Sequence, residues 1–120
     1  MKTFAMHRIL PAALLAISSV AFSLPAASQA VDEEAAKALF KRNDCGKCHH
    51  PTRDKKGPSL QKVAKELNKK PAEAMNRIIK NATTGPKVKL LDDGKEEEHK
   101  IIDTKDEKQI RNLGQWILKH

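Results

Sequence analysis

Two cysteines separated by two residues and followed directly by a histidine, Cys45-Gly46-Lys47-Cys48-His49, are the densest group of reactive side chains in this 120-residue chain. Thiols at this spacing can reach the two vinyl groups on one edge of a protoporphyrin. The next side chain then lies under the ring, where an imidazole can bind iron. The stretch reads as the attachment site of one covalent c-type haem, held through Cys45 and Cys48 with His49 on the metal.

Other chemistries use a Cys-x-x-Cys pair: a thioredoxin-like redox couple, half of a zinc site, or a small disulfide. A redox couple belongs beside a βαβ pattern, which the sequence lacks. A tetrahedral zinc site needs further ligands at close spacing, and only His50, His99 and His120 remain beyond the motif. A zinc- or disulfide-stabilised interaction domain is thus the reading without haem, and it explains less of the chain.

The first thirty residues have the form of a cleaved secretory signal. Lys2 and Arg8 supply a positive start, Ile9 to Phe22 is largely apolar, and Ser28-Gln29-Ala30 offers small residues for cleavage. The apolar run is interrupted by Pro11, Ser18 and Ser19 and is shorter than the ~20 residues a membrane helix needs, which argues against an uncleaved anchor. No other stretch is apolar enough to cross a membrane. Signal at 1–30 and domain at 31–120 is the expected division. Haem attachment of this kind takes place outside the bacterial cytoplasm, so motif and signal both point to the periplasm.

Roughly 90 residues then make one domain whose only aromatics are Phe40 and Trp116. A chain this short buries little surface and commonly needs a disulfide, metal or cofactor to hold it. With both cysteines committed to haem, the cofactor supplies the missing core. The formal charge of +8 falls by two when Lys2 and Arg8 leave with the signal. Export separates this basic chain from nucleic acid, so its charge suits an acidic redox partner or an anionic membrane surface. For any single run of charge the plain reading is a solvated face.

The elements that must position the motif are helical. Asp32-Glu33-Glu34 makes an acidic first turn, and Ala35, Ala36, Leu39 and Phe40 form an apolar stripe that ends near Asn43 and delivers the chain into Cys45. A loop follows over His50 to Pro58, with His50 a surface residue. Ser59–Leu67 is a short helix on Leu60, Val63, Ala64 and Leu67. Pro71 starts another that runs to about Asn81, its inward positions Ala74, Met75, Ile78 and Ile79. Asp92-Asp93-Gly94 suggests a short β-hairpin within 88–101, in which His99 and Ile101 would share a face. The last helix occupies Thr104–His120, opened by a Thr104/Glu107 capping box or by Asp103. Gly114 would let a crossing helix approach, with the first helix the expected partner.

Taken together with Gly57-Pro58-x-Leu60 and the terminal Gln115-Trp116-Ile117-Leu118, the attachment motif resembles the small bacterial class I cytochromes c over the whole of 31–120. The resemblance implies an all-α fold in which first and last helices cross beside the haem. It also implies that the Pro58 carbonyl accepts a hydrogen bond from the His49 imidazole, and that Leu60 packs on the haem. A fixed acceptor of this kind orients the ligand and makes it a better donor.

In that family an axial methionine usually stands in a loop before the terminal-helix aromatic. This sequence has no methionine after Met75, and the helical spacing of Met75 marks it as a packing residue. His99 occupies the corresponding stretch, and it is the expected sixth ligand. Lys87, Lys89 and Lys100 are lesser candidates, and an open position is the remaining option. A saturated iron has no place for substrate and no acid–base pair is identifiable around it, so a one-electron carrier, not an enzyme, is the principal expectation. Its potential would be lower than that of His/Met relatives. A labile sixth position would instead make a gas-binding or sensor protein. Lys47, Lys55, Lys56 and Lys87 are the lysines expected to steer an acidic partner.

Overall fold

The computed structural model describes residues 30–120. The proposed signal sequence lies outside the described residues. Among the described residues four α-helices carry the fold: α1 Glu33–Arg42, α2 Leu60–Leu67, α3 Pro71–Thr84 and α4 Glu107–Leu118. A two-stranded antiparallel sheet, β1 Lys87–Lys89 and β2 Glu96–Glu98, stands between α3 and α4 in sequence.

Each helix begins for a local reason. The Asp32 carboxylate accepts the Ala35 N–H at the start of α1, and Ser59 Oγ accepts the Lys62 N–H at the start of α2. Pro71 opens α3, where its missing N–H costs nothing. This helix runs three residues past Asn81 and stops at Gly85, whose left-handed φ of 61° reverses the chain. The cap of α4 is Asp106, which accepts the N–H groups of Lys108 and Gln109. Neither Thr104 nor Asp103 caps it, because Asp103 is turned back toward α1 and Thr104 Oγ1 accepts the Asp106 N–H.

The hairpin forms, though shorter than 88–101. Its register sets Lys87 against Glu98, Val88 against Glu97 and Lys89 against Glu96. The glutamate run is a poor strand former by itself, but two of its members face lysines across the ladder, and opposite charges in that position are favourable. The His99 N–H still donates to the Pro86 carbonyl at 2.9 Å. Pairing stops there because Pro86 has no N–H to return. His99 therefore stands just beyond the strand, and Ile101 lies over Gly85.

α1 and α4 make the most extensive helix contact, α2 and α3 pack on the same α4, and Phe40 meets Trp116 edge to face at 5.4 Å. Gly114 serves a different neighbour from the one expected. A Cβ there would meet Met75 Sδ at 2.6 Å, so the close approach is by α3. Most of the buried apolar residues fall into three clusters, the first two linked through half-buried Ile117. One joins Ala36, Leu39, Leu60, Leu113 and Trp116, a second Leu67, Ala74 and Ile78, and a third Ala82, Ile102 and Ile110. Domains ordinarily have one contiguous core. Here a cavity divides it.

Candidate haem site

The attachment motif is placed by the end of α1. Asn43 caps the helix, Asp44 takes a left-handed φ of 57°, and a tight 3₁₀ turn follows at Cys45–Lys47. Aspartate tolerates that conformation better than most residues. The Cys48 and His49 N–H groups both donate to the Cys45 carbonyl, at 3.2 and 2.9 Å, which wraps the five residues into one compact loop. Lys55 Nζ donates to the Gly46 carbonyl at 2.7 Å and closes it from outside. Both thiols are free and half-buried, and both line one cavity. Burial pushes the Cys45 thiol above its ordinary pKa, with the Lys100 ammonium opposing.

His49 lines that cavity too. Its Nδ1 lies 2.7 Å from the Pro58 carbonyl oxygen, which can only accept, so Nδ1 carries the proton and Nε2 is left with a free lone pair. Burial holds the imidazole below the usual histidine pKa and keeps that lone pair available, the Pro58 carbonyl opposing and the charge of His99 assisting. Gly57 lies against the ring: a Cβ at this position would sit 2.8 Å from His49 Cε1. Leu60, only 2% exposed, forms part of the wall beside it.

The cavity has a volume of 360 Å³, within the range of about 300–1,000 Å³ typical of cofactor sites. Its walls are Phe40, Val63, Leu67, Ile78, Leu113 and Ile117 and their neighbours, drawn from all three clusters. On the side facing His49 stands His99, with ring centroids 6.2 Å apart and planes inclined at 43°. His99 Nδ1 is 3.0 Å from the Lys100 carbonyl, so this ring is also oriented by a backbone acceptor and also keeps Nε2 free. An apolar chamber with two thiols at its edge and two facing imidazoles fits a covalent haem. A wider open groove of 920 Å³ between α1 and α4 presents neither thiol nor imidazole.

A profile of cytochrome c matches residues 33–120. The chain belongs to the cytochrome c family. Its structure is similar to that of the class 1 cytochrome MtoD from Sideroxydans lithotrophicus ES-1, with a TM-score of 0.69 and 46% sequence identity. The match covers 75% of this chain and 97% of MtoD. No curated protein matches the sequence. The chain is a class I cytochrome c with a covalent c-type haem, and its function is haem-based electron transfer.

Met75 takes the packing place that its helical spacing assigned, and several other residues of this cytochrome take places that the spacing did not assign. Met75 is packed against Gly114 and is not among the residues lining the cavity. His50 shapes the loop, its Nδ1 accepting the Thr52 and Arg53 N–H groups at 3.1 and 3.3 Å. Lys47 pairs with Asp44 at 3.2 Å and Lys55 is committed to Gly46, so two of the four lysines expected to steer a partner have internal bonds. Lys56 and Lys100 line the cavity, and Lys87 stands on β1 opposite Glu98. Asp54 organises the loop after the motif: its carboxylate accepts the Ser59 N–H at 3.0 Å and pairs with Lys62. These bonds hold it below the usual carboxylate pKa, the Lys62 hydrogen bond most of all.

Proposed function

We propose that His49 and His99 are the two axial ligands of this cytochrome and that it passes single electrons between larger redox proteins in the periplasm. The 6.2 Å separation of the two imidazole centroids carries the reading. Two metal–nitrogen bonds of about 2 Å, each with about 1.1 Å more from nitrogen to ring centre, span roughly 6.2 Å. In each ring Nδ1 is taken by a backbone carbonyl, which leaves Nε2 for a metal.

The bound haem supplies a one-electron Fe(III)/Fe(II) couple. In this reading Cys45 and Cys48 hold it covalently, and the Pro58 and Lys100 carbonyls keep both imidazoles aimed and electron-rich. Leu60 and the surrounding apolar walls exclude water from the ring. Imidazole in place of a thioether favours Fe(III) and sets the potential below that of His/Met relatives. Held by His49 and His99 together, the iron would have no place for substrate, which suits a carrier and not an enzyme. Support for the periplasm comes from the signal-like residues 1–30 and from a covalent attachment made outside the cytoplasm. The positive charge of the chain suits acidic docking surfaces on its partners.

The test is optical. The oxidised protein is expected to be low-spin without the sulfur-to-iron band near the red end of the spectrum. His99→Ala is expected to give a high-spin iron that takes up carbon monoxide when reduced. An unchanged His99→Ala spectrum would remove His99 from the coordination sphere, and the sulfur-to-iron band in the parent protein would return the position to a methionine.

A further inference from the structure

Among the described residues two polar side chains are almost wholly buried, Ser59 and Asn43, each 2% exposed. Ser59 is accounted for as the cap of α2. Asn43 does more than end α1. Its Nδ2 donates to the Leu39 carbonyl at 2.9 Å and to Asp103 Oδ1 at 3.2 Å, while its Oδ1 accepts the Asp103 N–H at 2.8 Å. One amide group thereby binds both the backbone and the carboxylate of a residue sixty positions away. Arg42 reinforces the join from the surface, Nε and Nη2 donating to the two Asp103 oxygens at 2.8 and 3.1 Å.

The two residues joined have particular neighbours. Asn43 precedes Cys45 by two positions, at the root of the attachment turn. Asp103 follows His99 by four. Between them Ile102 is buried, lines the cavity and donates its N–H to the Ala82 carbonyl at 2.9 Å. Lys100 and Ile101 are exposed, and His99 is only half-buried. The segment that carries His99 is therefore tied down at its hairpin end by Pro86 and at its far end by Ala82 and Asn43.

We propose that Asn43 is a positioning residue for the iron: through Asp103 it fixes the segment bearing His99 to the turn bearing Cys45, Cys48 and His49, and so keeps the sixth ligand from leaving. The inference rests on the bis-histidine reading above. It adds a second role to a residue that a helix cap alone would explain, and it predicts a kinetic effect that a purely stabilising residue would not have.

The experiment uses the haem-loaded protein in its ferric form and measures cyanide uptake by stopped-flow absorption. With both axial positions filled, uptake at saturating cyanide is limited by departure of His99. Asn43→Ala is expected to raise that limiting rate about tenfold, the scale of roughly one net hydrogen bond. The control is Asn112→Ala, because Asn112 makes two bonds, both 2.8 Å, to the N–H and carbonyl of Asp32 at the other end of the α1–α4 contact. It is expected to lower the unfolding midpoint without changing the limiting rate. Should Asn43→Ala not fold, Asp103→Ala serves instead: it removes the exposed carboxylate, keeps the backbone bond, and is expected to raise the rate about threefold. If His99→Ala turns the iron high-spin while neither clamp variant exceeds Asn112→Ala, the clamp is overturned and the ligand assignment survives. If His99→Ala leaves the spectrum unchanged, both fall together.

Discussion

At Gly57 the imidazole of His49 leaves room for a hydrogen and not for a carbon. A Cβ there would lie 2.8 Å from Cε1, 3.1 Å from Nδ1 and 3.3 Å from the Cys48 carbonyl oxygen, and the last of these is backbone and cannot step aside. The ring would have to move, stretching its 2.7 Å contact with the Pro58 carbonyl. Overpacking of this kind costs about 1–3 kcal/mol. That hydrogen bond makes the imidazole a stronger donor, which favours Fe(III), so loosening it destabilises the oxidised form. Gly57→Ala is therefore expected to lower stability by about that amount in denaturant titration and to raise the reduction potential. A destabilised variant with an unaltered potential would show that the ring keeps its acceptor and that the strain is taken up elsewhere.

Among the elements, what was legible in the sequence and what was not differ in a physical way. The helices were legible because each buries a stripe at helical spacing, as in Ala36 with Leu39 or Ala74 with Ile78. The attachment motif was legible because its chemistry depends on spacing along the chain, and Pro58 and Leu60 through the resemblance to class I cytochromes c. Asn43, Asp54 and Gly57 were not, since their roles depend on which atoms meet after folding. The start of α4 shows the limit. Thr104 and Glu107 have the spacing of a capping box, yet long-range bonds from Asn43 and Arg42 take Asp103, and the helix begins three residues later. Local pattern yielded to a tertiary bond. Asp106→Ala is accordingly expected to cost about 1 kcal/mol, the usual worth of a helix N-cap. Comparison of unfolding midpoints with Thr104→Val checks it: Thr104 makes one bond to the Asp106 N–H and none to the helix, so its loss should cost less.

For the whole molecule the deciding feature is that its core is divided. Three apolar clusters surround a 360 Å³ cavity, and residues such as Leu60, Leu67, Ile78, Ile102 and Leu113 present side chains to it from different elements. On the scale measured for engineered cavities in T4 lysozyme, a dry void of that size would cost on the order of 9 kcal/mol. That compares with a total stability of about 5–15 kcal/mol for an ordinary domain. Water entering the open side would lessen the cost but would wet the apolar walls. No disulfide offsets it, since Cys45 and Cys48 are the two cysteines of the chain and covalent attachment takes both up in thioether bonds. Within the chain Ile117 packs against both the first and the second cluster while the third shares no such residue with them, so haem adds the contact that all three have in common. The Cys45→Ala, Cys48→Ala double variant, purified free of haem, is expected to keep part of its helical far-ultraviolet signal while losing the near-ultraviolet signal of Trp116 and any cooperative thermal transition. The Phe40–Trp116 contact between α1 and α4 is the sensitive reporter, because Phe40 also lines the cavity. A haem-free chain that melted cooperatively with the near-ultraviolet spectrum of the holoprotein would show that the α1–α4 crossing holds the fold alone, and that the cofactor occupies a chamber already built.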